Sequence, residues 1–175
     1  LKLAETKMIE LIKKYPSNHV LFNLYGVILA TQNKFEDSIN KYKKSIEINK
    51  NFFEAYNNLS GAFFKLKKYD ESINTLKKAI KINSNFAEAY YNLGNIYHEI
   101  EKFNDSIDNY KNAIKINPNY AKAYNNLGNS YVRIKKTKES IESYKQAIKI
   151  DSNFVDPYFN LAIILMKIKK IEEAI

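Results

Sequence analysis

Apolar side chains recur along this chain at intervals of three and four residues, the spacing that brings them round to one face of an α-helix. Tyr90, Leu93, Tyr97 and Ile100 make one stripe, and Phe103, Ile107, Tyr110 and Ile114 make the next. The pattern predicts a helix, a tight turn and a second helix. Small residues at Gly94 and Ser106, and again at Gly128 and Ser140, are expected to face each other so that two backbones approach closely. A larger side chain there would overpack the pair at a cost of roughly a few kcal/mol. Asn51-x-x-Glu54 and Asn85-x-x-Glu88 read as capping boxes at helix starts. Asn153-x-x-Asp156 is a weaker version, and Asn119-x-x-Lys122 breaks the pattern. Pro16 and Pro118 end helices, because proline has no N–H to continue them.

The same residues return at steps of 34. Leu59, Leu93, Leu127 and Leu161 form one such series, Ala79, Ala113 and Ala147 a second, and Phe52, Phe86, Tyr120 and Phe154 a third. Coincident series at this period are the signature of stacked helix-pair repeats, in which neighbours share one continuous core. Residues 121–154 carry Tyr124, Leu127, Gly128, Tyr131, Ser140, Tyr144, Ala147 and Ser152. Residues 87–120 carry Tyr90, Leu93, Gly94, Tyr97, Ser106, Tyr110, Ala113 and Pro118. This pattern resembles the tetratricopeptide repeat (TPR), with the family's Trp and most of its prolines replaced. The resemblance covers essentially the whole chain. Residues 19–52, 53–86, 87–120 and 121–154 read as full repeats. Residues 1–18 read as the second helix of a partial one, and 155–175 as a truncated one that enters a second helix at Glu172-Glu173-Ala174-Ile175. The chain is therefore expected to be a piece of a longer protein. The resemblance implies an all-α fold: a right-handed superhelical solenoid of antiparallel helix pairs, its concave groove lined by the first helix of each pair.

Composition narrows the chemistry. Among 175 residues there is no Cys, and His19 and His98 are the only histidines. A disulfide scaffold, a thiol nucleophile and a Cys-ligated metal are excluded, and no metal centre or cofactor is expected. Four glycines and no G-x-x-x-x-G-K or G-x-G-x-x-G leave no phosphate loop. G-x-S-x-G and H-E-x-x-H are also missing. The chain is read as not an enzyme, with His98 a groove or surface residue and His19 a local or solvated one at a helix start. The longest apolar run, Leu161–Met166, is too short to span a bilayer. Without a targeting signal, the location expected is cytoplasmic.

One polar series follows the repeat. Asn58, Asn92, Asn126 and Asn160 recur once per unit, each before the series leucine, with Asn95 and Asn129 one turn further on. An asparagine amide offers two donors and an acceptor oxygen, so it can pair with a peptide backbone whatever its sequence. First helices roughly 10 Å apart and an extended chain rising about 3.3 Å per residue would place a grip near every third residue. In this family the series position points into the groove. The ladder is similar to that in the repeat region of O-linked N-acetylglucosamine transferases, where asparagine at the matching position holds substrate backbone. Tyr91, Phe64 and Phe159 are candidate apolar contacts, and Lys122 and Arg133 candidate polar ones. The family's two-carboxylate clamp looks absent: Lys122 holds one matching place, but Asn126 stands where arginine would be needed.

The formal net charge is +9, from 28 Lys+Arg against 19 Asp+Glu. The groove positions Glu54, Lys65, Glu88, Glu99, Lys122, Arg133, Asp156 and Lys167 balance one another. The excess falls partly on the turns within each unit: Lys34, Lys67-Lys68, Lys102, Lys135-Lys136 and Lys169-Lys170. These lysines suit helix C-termini; a basic surface for nucleic acid is the lesser alternative, with nucleic acid an unlikely partner. The reading that results is a protein-interaction scaffold holding an extended peptide through the asparagine ladder. Its alternative is a non-catalytic recruiting arm of a larger glycosyltransferase or other transferase. Uncovered apolar surface at the two ends is expected to favour end-to-end self-association.

Overall fold

A computed structural model describes residues 2–172, with side chains from Glu5 to Lys169. The described residues form ten helices joined by short turns: α1 (Lys2–Lys14), α2 (His19–Thr31), α3 (Phe35–Ile48), α4 (Phe53–Lys65), α5 (Tyr69–Ile82), α6 (Ala87–Glu99), α7 (Phe103–Ile116), α8 (Ala121–Arg133), α9 (Thr137–Ile150) and α10 (Val155–Glu172). Contacts group them into two compact units, residues 1–89 and 90–175.

In the first unit, Leu59 and Ala62 of α4 bury against Ile39 and Tyr42 of α3, with Ile46, Phe63 and Leu66 closing the cluster. The second unit repeats the arrangement. Leu127 and Tyr131 of α8 bury against Ile107 and Tyr110 of α7, flanked by Tyr91, Ile114 and Ile134. The period-34 leucines that the sequence singles out at 59, 93 and 127 are all buried.

A tyrosine ring stands nearest to each of the expected glycines. A Cβ built on Gly94 would lie 2.6 Å from the Tyr110 ring, and one on Gly128 would lie 2.6 Å from the Tyr144 ring. Gly26 stands in the same relation to Tyr42, at 2.5 Å. The glycines thus make room for a tyrosine of the following helix. Ser106 bonds to Ser130 of α8 (2.9 Å), and the Ser140 hydroxyl donates to the Thr137 carbonyl (2.8 Å). Where the tyrosine is replaced by Leu76, the glycine position holds Ser60, whose carbonyl accepts from the Ser72 hydroxyl at 2.8 Å. Burial raises the pKa of all three tyrosines, to about 12 at Tyr42 and Tyr144.

Helix ends are built differently from the capping-box expectation. The residue before α4 is Phe52, with no side-chain cap, and the same holds for Tyr120 before α8. The side-chain turn sits two residues earlier than expected. Oδ1 of Asn49 accepts from the Asn51 N–H (3.0 Å), Asn83 from Asn85 (3.0 Å), Asn117 from Asn119 (3.1 Å) and Asp151 from Asn153 (3.0 Å). A short Asx side chain that closes its own turn competes with one that would cap the next helix. Asn18 does cap α2, accepting from Val20 and Leu21.

The turn inside each pair is made by a left-handed residue: Asn33, Lys67, Glu101 and Lys135, at φ between 57° and 61°. None is glycine. The next N–H reaches back to close the helix end, as in Lys68 N–H to the Phe63 carbonyl (2.9 Å) and Lys136 N–H to the Tyr131 carbonyl (2.9 Å). The lysines at 34, 67, 68, 102, 135 and 136 are exposed.

Repeat register places another such turn at Lys169-Lys170, yet α10 continues to Glu172. A left-handed residue costs about 1–2 kcal/mol, which the earlier turns offset by packing a second helix back on the first. Of the second-helix start expected at 172–175, Glu172 ends α10 and the rest lies outside the described residues.

Candidate functional site: an asparagine network on the first helices

Asn58, Asn126 and Asn160 of the ladder are held by bonds to the preceding first helix. In the first unit, Nδ2 of Asn58 on α4 donates to Oδ1 of Asn23 on α2 (2.9 Å). Asn23 is buried, as is Asn57, whose Nδ2 donates to Oε1 of Glu88 (3.1 Å).

In the second unit the bonds run on as a chain. The Tyr110 hydroxyl donates to Oδ1 of Asn95 (2.8 Å), which also accepts from Nδ2 of Asn126 (2.9 Å). The same Nδ2 reaches the Tyr91 hydroxyl at 3.2 Å. Oδ1 of Asn126 accepts from Nδ2 of Asn125 (3.2 Å), whose own Oδ1 accepts from Asn160 of α10 (3.1 Å). Nδ2 of Asn160 also reaches Oδ1 of Asn129 (3.2 Å), and Asn129 accepts from the Tyr144 hydroxyl (2.8 Å). Asn95 and Asn129, placed by the sequence as groove contacts, therefore tie the buried tyrosines to the ladder. Asn92 is half-buried on α6.

The other candidates separate. Tyr91 stacks against Tyr110 and Tyr120 at 5.9 and 4.9 Å, so it serves packing as well as the network. Phe64 packs on Tyr69 at 5.9 Å, whereas Phe159 is 65% exposed. Lys122 is exposed and lines an open depression with Tyr120, Tyr124, Lys149 and Asp151. Arg133 pairs with Glu101 (2.9 Å) and lies 4.4 Å over the Phe103 ring.

Neither histidine is a simple surface residue. His19 packs edge-on against Phe52 at 4.7 Å and its ring nitrogen meets Asn49 at 3.2 Å. His98 is half-buried. Its Nδ1 lies 2.9 Å from the Ser130 hydroxyl, which lies 2.9 Å from that of Ser106. Burial, with the Arg133 charge, lowers its pKa against the opposing pull of Glu99. Ser130 and Ser106 have no exposed surface, and the Ser130 hydroxyl also reaches the Asn126 carbonyl at 3.1 Å. This histidine–serine pair ties α6, α7 and α8 together.

Beside the network a cavity of about 440 Å³ opens among α8, α9 and α10, with His98 of α6 also lining it. Its apolar wall includes Val132, Ile163, Ile164 and Ile168, and Asn129 and Asn160 border it. Asn23, Asn57 and Asn125, which the sequence reading passed over, are the buried partners of this site. The Asn-Asn pairs at 57–58 and 125–126 were the available signal.

The TPR-repeat family model matches residues 26–66, 61–101, 94–135 and 128–169. The chain belongs to the tetratricopeptide-repeat family. Its class is accordingly an all-α repeat solenoid. No curated protein sequence matches this TPR chain. Among solved structures, it is similar to MamA at 26% identity and a TM-score of 0.77, over 85% of this chain and 87% of that one. YrrB, a TPR protein with an unusual peptide-binding site, is similar at 17% identity and a TM-score of 0.75, over 96% and 87%. PilF of Pseudomonas aeruginosa is similar at 17% identity and a TM-score of 0.82, over 87% and 70%. No helix among the described residues is long and apolar enough to cross a membrane.

Proposed function

We propose that this TPR chain, a protein-interaction scaffold, binds an extended peptide along the asparagine-bearing face of its first helices, with Asn92, Asn126 and Asn160 as backbone contacts in the second unit and Asn58 in the first. The observation that carries the reading is the second unit's network. The Nδ2 groups of Asn126 and Asn160 are directed inward onto Asn95, Asn125 and Asn129. That fixes the amides and leaves oxygen lone pairs to accept peptide N–H groups. The Oδ1 atoms of Asn95 and Asn129 each accept two bonds already, so their Nδ2 groups are the donors left for peptide carbonyls. A rigid set of both kinds suits a backbone better than a side chain, and rigidity lowers the entropy lost on binding. YrrB, whose fold this chain shares, is described by a peptide-binding site of its own.

Random dodecapeptides selected on the folded chain provide the test. The selected peptides are titrated by fluorescence anisotropy against the wild type and the double variant Asn92→Ala, Asn126→Ala. Loss of two backbone bonds, each worth about 1 kcal/mol, should weaken binding about tenfold or more with helicity retained. Unchanged affinity removes the ladder. Failure to select any peptide removes the peptide-binding reading.

A further inference from the structure

The cavity bordered by Asn129 and Asn160 has a chemistry of its own. Its volume of about 440 Å³ falls within the range of about 300–1,000 Å³ that small-ligand pockets occupy. Four aliphatic side chains, Val132, Ile163, Ile164 and Ile168, form its apolar wall. Among the described residues no carboxylate lines it, whereas Arg133 and Lys167 do. Lys167 is exposed and makes no ion pair among the described residues. Arg133 is held in place by Glu101 and the Phe103 ring.

We propose that this cavity receives a large apolar side chain of the bound peptide, and that Lys167 and Arg133 among its lining residues select a peptide with carboxylates beside that side chain. The inference rests on the peptide-binding reading and adds sequence preference to it: the ladder reads backbone, and the cavity reads one acidic-apolar position. The aliphatic wall gains from excluding water. The two cations favour a negative flank through complementary charge, and they disfavour a basic one.

Three acetylated, fluorescein-labelled dodecapeptides test this. One has a central Phe flanked by Glu residues. The second replaces that Phe with Ala, and the third replaces the Glu residues with Lys. The first should bind about tenfold tighter than either other, a difference typical of one filled apolar pocket, and should shift the methyl resonances of Ile163, Ile164 and Ile168. Val132→Phe, a plug from a position 38% exposed, should weaken that peptide about as much. Lys167→Glu should weaken it too and favour the Lys peptide.

Equal affinities for the three peptides overturn the proposal. So does tight binding untouched by Val132→Phe and Lys167→Glu; if Asn92→Ala with Asn126→Ala still weakens it, the ladder stands without the cavity. No binding of any of the three overturns the cavity proposal, while selection of other peptides from the random library would leave the peptide-binding reading intact.

Discussion

The ring of Tyr110 fills the space that Gly94 leaves open, so closely that a Cβ on Gly94 would lie 2.6 Å from its Cε1. Gly94→Ala should therefore destabilise the chain by about 1–3 kcal/mol, the cost of overpacking, read as a shift in urea midpoint. Gly61, with nothing within 4 Å of its built Cβ, provides the contrast. Gly61→Ala should be neutral or stabilising by up to about 1 kcal/mol, because alanine is the better helix former. Adding Tyr110→Leu to Gly94→Ser reproduces the Ser60–Leu76 pair and should recover much of the loss.

The left-handed turns give a prediction of opposite sign. Lys67 and Lys135 sit at φ 57° and 61°, where a side chain costs about 1–2 kcal/mol and glycine does not pay it. After the extra backbone entropy of glycine, Lys67→Gly and Lys135→Gly should each stabilise by about 0.5–1 kcal/mol. Lys34 and Lys68, at φ −85° and −84°, should show no such gain. Equal effects at all four positions would contradict the conformational explanation.

His98 makes stability depend on pH. Its folded pKa lies below the ordinary 6.5, so below that pH the unfolded chain holds more protons than the folded one. Its contribution is complete above about pH 6.5 and is lost as pH falls through the folded pKa. Urea unfolding of the wild type and His98→Gln at several pH values from 7.5 to 5 isolates the effect. The wild type should lose stability relative to the variant on acidification, and parallel curves would rule the effect out.

Asn125 and Asn160 bond across successive first helices at 3.1 Å. A double-mutant cycle of Asn125→Ala and Asn160→Ala should show coupling of about 0.5–1.5 kcal/mol. Additive losses would mean that each amide acts independently.

The helices and buried leucines were legible because one residue in 34 repeats the same environment, and periodicity reports burial directly. The partner of each glycine was not legible. Matching small residues to small ones points to Ser106 and says nothing of the Tyr110 ring, which reaches well beyond its own Cα to lie nearest Gly94. The corner was misplaced for a related reason. In Asn49-Lys50-Asn51 two side chains compete for the turn, and spacing alone does not say that Asn49 wins. The asparagine series was visible, but the inward bonds of Asn126 and Asn160 depend on the buried neighbour that each helix presents. The cavity needs four helices, α6, α8, α9 and α10, and no single stretch of sequence carries it.

The fit of Gly26, Gly94 and Gly128 to Tyr42, Tyr110 and Tyr144 lies wholly within one helix pair. Duplicating a pair copies socket and plug together, so the match survives however many copies are made. The bonds from Asn58, Asn126 and Asn160 cross from one pair to the next, and their partners differ between junctions: Asn23, then Tyr91 and Asn95, then Asn125 and Asn129. Asn95 and Asn129 hold the place that Gly61 and Ile163 hold elsewhere. Divergence between copies therefore accumulates at the seams, the same surface on which a ligand would be distinguished from its competitors.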